Sequence, residues 1–414
     1  MINWKKYGLV SALTAAGSLA LIAGAQGGAD TGALSQLYGL SGAPAALPGP
    51  AATVPPYAAG GSAPANPVPP ERYNYFIWNP ADRGDWYEWW YYKVVVPGTG
   101  DAFYFCYGVV NPWDAEQTGA VSRSHVSAGS FGDHENIEQT FKVKDFAASP
   151  TATDIRIGAN TATDRALKGS VTAPDGGVLS WDLTMEHDWG VNLLGWAIYK
   201  DWISNIFWYP AQAGAWMSGT INYRGRTVTL DRAPAYQDRN WGRSFPKWWT
   251  WLVSNNFKNS PGTILASGGG QPRIYPGIGF IQTAAIGLRH QGREYLFMPT
   301  TGDPVKVDVN FGKWKVSARN KRGERIEISA YAPREKFLLL KFMTPQGKMY
   351  NDYEALTGHI DVKLYKGSKL IAGLESDDGG IEFGSFASFG AGPGTGAPDT
   401  FSFEGLFSGE NQLQ

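Results

Sequence analysis

The chain predicts an all-β fold of two antiparallel barrel or sandwich domains lying side by side. Three observations carry that expectation. Short runs of β-branched and aromatic residues recur along the chain, separated by Gly, Pro, Asn and Asp turns. Helical periodicity is convincing only near the N-terminus. The span from Glu71 to Gln414, about 340 residues, is long for one barrel or sandwich and suits two.

The chain opens with a targeting pattern. Lys5 and Lys6 precede an apolar core from Tyr7 to Ile22, and Ala23-Gly24-Ala25 matches the small-x-small cleavage pattern. Residues 1–25 therefore read as an export signal, placing the protein in the periplasm or outside the cell. The competing reading is an N-terminal membrane anchor. Ser11, Thr14, Ser18 and the short apolar run argue against a stable span. Residues 26–70 are rich in Ala, Gly and Pro with almost no charge, and they read as a disordered linker.

The folded part divides into an expected N-terminal domain, residues 71–245, and a C-terminal domain, residues 246–382. A loosely ordered tail, residues 383–414, is expected to follow. Trp86–Val96 and Ala102–Val110 form a hairpin pattern across Pro97–Asp101. Ile155–Ile157, Gly169–Thr172 and Val178–Thr184 follow, the last two joined by the turn Pro174–Gly177. Trp216–Tyr223 and Arg226–Leu230 pair across Arg224-Gly225, and Thr283–Leu288 and Arg293–Phe297 pair across His290–Gly292. Trp314–Ala318, Arg325–Ala330 and Phe337–Phe342 complete the set, while Asp201–Phe207 reads as a short helix or an irregular loop.

A net charge of -1 gives no electrostatic case for nucleic acid or an anionic surface. The single cysteine, Cys106, excludes an intrachain disulfide framework and reads as strand core. The five histidines show no metal-ligand spacing, so no metal is expected. His125 and His134 read as solvated loop residues, and Glu186-His187-Asp188 as a strand end.

The most informative stretch is Tyr236-Gln-Asp-Arg-Asn-Trp-Gly-Arg-Ser-Phe-Pro246, leading to Trp251 and Ser254-Asn-Asn-Phe257. On a strand, alternate residues share a face. Tyr236, Asp238 and Asn240 thus present a phenol, a carboxyl and an amide together, flanked in sequence by Gln237, Arg239 and Trp241, and alternation points Arg239 to the other face. Such a face suits either a pocket that protonates an apolar substrate or a buried hydrogen-bond network. Trp86-Tyr-Glu-Trp-Trp-Tyr-Tyr92 forms a second patch, where Trp86, Glu88 and Trp90 share one face. A carboxylate among indoles is either salt-bridged or placed in a pocket, because an unpaired buried one costs several kcal/mol.

Both patches resemble the signatures of tocopherol cyclase and its bacterial relatives. In that family a Tyr-x-Glu/Asp-x-Asn/Asp-Trp-Gly-x-x-Phe-Pro run leads into Trp, a polar residue, Asn and Phe. Asp238 stands where the cyclases usually carry Glu. The carotenoid 1,2-hydratases and related fungal Diels–Alder cyclases carry a similar Tyr-x-Asp-x-Asn-Trp-Gly run, so cyclisation and hydration both stay open. Gly268-Gly-Gly270 matches a glycine-rich spot of the cyclases and reads as a backbone turn rather than a phosphate cradle, since neither a helix nor a Lys follows. The resemblance implies two lipocalin-like halves, a hydrophobic isoprenoid-like substrate and no cofactor.

The shared chemistry in the cyclases and hydratases is protonation of an isolated alkene, followed by attack of an oxygen on the tertiary cation. A free Asp, with a pKa near 3.9, is neutral only about one part in a thousand at pH 7, a cost of about 4 kcal/mol. Burial against rings raises it. Asp238 is the expected acid, with Tyr236 as its partner or relay and Trp241 as its apolar wall. Glu88, Trp90, Asn240, Trp251 and Asn255 are the expected substrate contacts. Most of the 17 tryptophans and 20 tyrosines are expected to be core, with Trp241 singled out by its place in the motif. The alternatives are a pericyclase, which needs shape more than a proton, and a non-catalytic carrier of hydrophobic ligands. The expected partner is a hydrophobic small molecule. Peripheral contact with a membrane and the oligomeric state stay open.

Overall fold

The hairpin expected across Pro97–Asp101 forms, and it begins the first of two antiparallel sheets in a computed structural model that describes residues 70–387 other than 118, 120 and 311. The export signal and nearly all of the linker lie outside the described residues, as does the tail beyond residue 387. Two edges of those spans do fall within them. Pro70 starts the 3-10 turn Pro70–Asn74, and residues 383–385 belong to a strand rather than to a tail.

The first sheet contains β1 (Tyr87–Val95), β2 (Ala102–Val110), β3 (Arg123–Ser130), β4 (Glu135–Phe141), β5 (Phe146–Ala148), β6 (Asp154–Ile157), β7 (Asn160–Thr163), β8 (Ala166–Thr172), β9 (Val178–Trp189), β10 (Ile206–Tyr223) and β11 (Arg226–Gly242). Its order is β4-β3-β2-β1-β11-β10-β9-β8-β7-β6-β5. Strand β3 comes back against β6 and β8, and β4 against β8, so the sheet curls nearly closed into a barrel.

The second run of strands is β12 (Trp248–Ser254), β13 (Ile264–Gly270), β14 (Arg273–Ile274), β15 (Gly279–Phe280), β16 (Thr283–His290), β17 (Arg293–Phe297), β18 (Val305–Asn310), β19 (Lys313–Arg319), β20 (Glu324–Tyr331), β21 (Leu338–Met343), β22 (Met349–Lys366) and β23 (Lys369–Ser385). They build a sheet in the order β17-β16-β13-β12-β23-β22-β20-β19-β18, with β21 also on β22 and β14–β15 as a separate small hairpin. Its ends approach through β16 and β18, giving a second nearly closed barrel. No α-helix occurs among the described residues. Asp201–Ile203 is irregular, Ser204 bridges Ile274, and Ile206-Phe207 already belong to β10.

Burial along the strands explains where the sheets meet. β8 and β19 alternate between buried and exposed positions, as a sheet with one wet face must. β1 and β2 are buried at every position. One face of β1, with Trp90, Tyr92 and Val94, fills the first barrel. The other, with Tyr87, Trp89 and Tyr91, packs on Trp251, Val253, Leu338 and Leu340 of the second sheet. The run Trp86–Tyr92, aromatic apart from Glu88, is therefore covered twice. A mixed layer of rings and aliphatic side chains joins the two sheets.

Gly268–Gly270 corrects one expectation. These residues are strand, not turn: they close β13. A Cβ on Gly268 would lie 2.8 Å from the Trp208 ring. Absent side chains here let an indole of the first sheet lie directly on the backbone of the second. Gly380 likewise makes room for Trp251: a Cβ there would lie 2.3 Å from its ring.

Candidate active site between the two sheets

Register places the functional face. Opposed residues on antiparallel strands project to the same side. Tyr91 lies opposite Asp238, and Trp89 opposite Asn240. Trp208 of β10 is also opposite Asn240. Tyr236, Asp238 and Asn240 thus share a face with Trp89, Tyr91 and Trp208, and that face meets the second sheet.

Asp238 is 4% exposed. Its Oδ2 accepts hydrogen bonds from Trp208 Nε1 at 2.7 Å and from the Tyr236 hydroxyl at 2.9 Å. Its Oδ1 has no partner among the described residues. The Tyr236 hydroxyl in turn accepts from Trp251 Nε1 of the second sheet at 3.0 Å. Burial raises the Asp238 carboxyl to about 7, and the two hydrogen bonds hold it from rising further. No cation pairs with it among the described residues.

The opposite side of the site carries three carboxyls that sequence reasoning missed. Glu354, 2% exposed, accepts a hydrogen bond from the Tyr91 hydroxyl, and its Oε2 has no partner among the described residues. Glu382, half-buried, lies opposite Glu354 on β23 and opposite Trp251 on β12. Asp352 hydrogen-bonds Glu382 and accepts from Trp249 Nε1 at 3.1 Å. Burial pushes Asp352 up to about 7. Burial first, then the neighbouring carboxyls, push Glu354 and Glu382 well above the ordinary range. Lys93 lies opposite Tyr236, its ammonium 5.8 Å from the centre of the Trp251 ring, and burial lowers it to about 8.

These contacts close a ring. Asp238 bonds Tyr236, and Tyr236 bonds Trp251. Trp251 lies across from Glu382, Glu382 from Glu354; Glu354 bonds Tyr91, and Tyr91 lies across from Asp238. The two unpartnered carboxyl oxygens belong to this one ring. Such a site can hand a proton to an apolar group and surround the resulting cation with ring faces. The three carboxyls escaped sequence reasoning because the Asp352–Glu354 and Glu382 segments carry no motif. Two acids at alternate positions within an aromatic strand were the available signal.

Several expected site residues lie elsewhere. Trp241 does not wall Asp238. It projects to the other face, stacked on Phe207 at 5.5 Å with the Arg239 guanidinium 4.7 Å from its ring centre. Its odd position in β11 dictates this; Trp208 and Trp251 take the role assigned to it. Glu88 and Trp90 are on that same far face. Glu88 forms a fully buried ion pair with Arg239 and accepts from Trp86 Nε1 at 2.9 Å. Trp90 donates its Nε1 to the Asn74 carbonyl at 2.8 Å, inside the first barrel. Asn255 spends its amide on the carbonyls of Ala215 and Ala235, both at 2.9 Å, fastening the end of β12 to the first sheet. Asn240 is half-buried on the Asp238 face, and Trp251 is in the ring.

His125 is a further correction. It is not a solvated loop residue but a 4% exposed side chain of β3, lying over Gly108. Burial lowers it to about 3, so its imidazole is neutral. His134 is exposed in the next turn. Among the described residues, His359, Glu375 and Asp377 are close enough to share a metal ion. They lie at the surface, and Lys258 already pairs with both carboxylates.

Comparison with known proteins agrees with the motif. The family described as Tocopherol cyclase-like matches residues 195–385. A probable chloroplastic tocopherol cyclase of Oryza sativa subsp. japonica is 33% identical over 124 residues, 30% of this chain and 26% of that protein. The chloroplastic tocopherol cyclase of Zea mays is 29% identical over 196 residues, 45% of this chain and 41% of that one. The chain thus matches less than half the length of either relative. Among solved structures, CghA with Sch210972 has a TM-score of 0.48 at 13% identity, covering 73% of this chain and 90% of that one. Kievitone hydratase from Nectria haematococca has a TM-score of 0.45 at 11% identity, covering 78% and 94%. The matched region contains Trp208, Tyr236, Asp238, Trp251, Glu354 and Glu382, and over residues 195–385 the chain is similar to the tocopherol cyclase-like family.

Proposed function

We propose that the protein catalyses cofactor-independent addition of an O–H across an alkene of a hydrophobic, isoprenoid-like substrate, by cyclisation or hydration, with Asp238 as the acid. The observation that carries this reading is the state of Asp238: buried among indoles, without a cation, one oxygen unengaged and its carboxyl raised to about 7. A carboxyl so placed is about half protonated at pH 7, so the penalty of about 4 kcal/mol that a free Asp would meet largely disappears.

Asp238 gives its proton to the less substituted alkene carbon. A tertiary cation forms next to it. The faces of Trp208, Trp251 and Tyr91 each stabilise positive charge by about 0.5–2 kcal/mol and are poor nucleophiles. A hydroxyl of the substrate, or a water, attacks the cation and returns its proton to the Asp238 carboxylate. The acid is regenerated and no redox step occurs.

Incubation of purified protein with prenylated quinols and with acyclic carotenoids tests the reading. Wild type should form product, and Asp238→Asn should lose at least about a hundredfold in kcat. Product that survives the Asn substitution would mean a shape-driven pericyclic reaction; tight binding without turnover would mean a carrier. Export belongs to the same reading, supported by the basic and apolar pattern of residues 1–25. N-terminal sequencing of the mature protein checks it, and an intact Met1 would overturn it.

A further inference from the structure

We propose that Glu354 is a substrate-binding residue that donates a hydrogen bond to an oxygen of the ligand, so that the site selects oxygenated alkenes over pure hydrocarbons. This rests on the acid-catalysis reading only for the location of the alkene. The argument begins with position. Glu354 is one side chain removed from the acid: Tyr91, which bonds Glu354, lies directly opposite Asp238 on the neighbouring strand. Opposed residues on adjacent strands have Cβ atoms about 4.5–5.5 Å apart. That spacing holds for Tyr91 and Asp238; Glu354, at the far end of the Tyr91 phenol, is one tyrosine side chain further on, so one ligand spanning that length would touch both.

The second element is an orphaned atom. Glu354 Oε2 is buried without a partner among the described residues, and so is Asp238 Oδ1. A buried polar atom left unsatisfied costs about 1–3 kcal/mol, and two in one ring of side chains call for a common explanation. A ligand touching both supplies it. Asp238 Oδ1 addresses the alkene, and Glu354 Oε2 is left for a polar group of the ligand, having no hydrogen-bond partner among the described residues.

Protonation fixes the polarity of that contact. Burial and the carboxyls of Asp352 and Asp238 keep Glu354 neutral, so it approaches the ligand as a hydroxyl donor. Lys93 opposes that shift from one side, but its ammonium points to the Asp378 carbonyl, 3.4 Å away. The complementary ligand group is an acceptor: a hydroxyl, phenol or carbonyl oxygen. Held there, a hydroxyl oxygen keeps a lone pair for the cation and its own proton for the Asp238 carboxylate. Glu354 neither gains nor loses a proton overall.

The test is a pair of matched probes, geranylhydroquinone and geranylbenzene, titrated against the full-length protein with quenching of tryptophan fluorescence as the readout. Wild type should bind the hydroquinone about tenfold more tightly. Glu354→Gln, which keeps an N–H donor, should retain most of that preference. Glu354→Leu should abolish it while leaving the affinity for geranylbenzene within about twofold. A preference that persists in Glu354→Leu, an equal loss for both probes, or equal binding of both by wild type would overturn the inference. Turnover is scored separately: loss of preference in Glu354→Leu with full activity in Asp238→Asn would leave the oxygen subsite standing and remove the acid.

Discussion

The two faces of β11 carry two buried carboxyl sites a few ångströms of backbone apart, and they are built on opposite logic. On the barrel side, Glu88 is met by Arg239, Trp86 Nε1 and the Ile77 amide, and Arg239 also donates to the Tyr73 carbonyl at 2.7 Å. Burial raises the Glu88 carboxyl and lowers Arg239, but the contact between them opposes both shifts. On the inter-sheet side, Asp238 receives two neutral donors and no cation. The lesson is that compensation, rather than burial, separates a structural carboxyl from a chemical one. Arg239 belongs to the first site because strand alternation turns it from the second by one residue.

Removing the guanidinium should break the comparison most visibly. Arg239→Leu leaves Glu88 buried without its cation, and breaking a buried ion pair by removing one partner costs about 3–5 kcal/mol. Urea unfolding followed by circular dichroism should show that loss. Asp238→Asn, by contrast, should leave stability at neutral pH unchanged or improved, because no ion pair is lost. Equal destabilisation by the two substitutions would mean that the faces do not differ as described.

The next effect is on pH. Asp238 goes from an ordinary value of 3.8 to about 7 on folding. A folded pKa above the unfolded one means that the folded chain holds the proton longer. Its contribution is present in full below about pH 4, and it is lost as pH rises through about 7. The protein should therefore become less stable across that window. In Asp238→Asn the fall should be shallower by up to about 4 kcal/mol, less where Asp352 and Glu354 titrate with it. Identical slopes in wild type and variant would place an ionised Asp238 in the folded protein.

Much of this contrast was legible in the sequence. Alternation alone puts Asp238 and Arg239 on opposite faces. The hairpins at Arg224-Gly225 and His290–Gly292 follow from their turn residues. Trp241 is close to the motif's acid in sequence, but a strand sends such odd and even positions to opposite faces; for Glu88, alternation gives its neighbours but not which side of the sheet meets the second one. Three glycines at Gly268–Gly270 suggest a turn because they break local structure, but in the strand Gly268 admits Trp208, a residue sixty positions upstream in the chain. Glu354 and Glu382 become part of the site only through the pairing of two sheets, which no local pattern encodes.

The finest test concerns Trp208, one of the two neutral donors that hold Asp238 back from a wholly uncompensated acid. Its indole N–H stabilises the carboxylate and so lowers the Asp238 pKa against the effect of burial. Trp208→Phe keeps a ring over Gly268 while deleting the donor. Asp238 should then hold its proton to higher pH, and the alkaline limb of the kcat profile should move up by about one unit. The direction is diagnostic. A Trp208 that served only as packing would lower activity at every pH without moving the limb. A downward shift would mean that water, entering where the indole had been, solvates the carboxylate better than the N–H did. The limb thus measures whether the indole acts on the acid through its hydrogen bond or through its bulk.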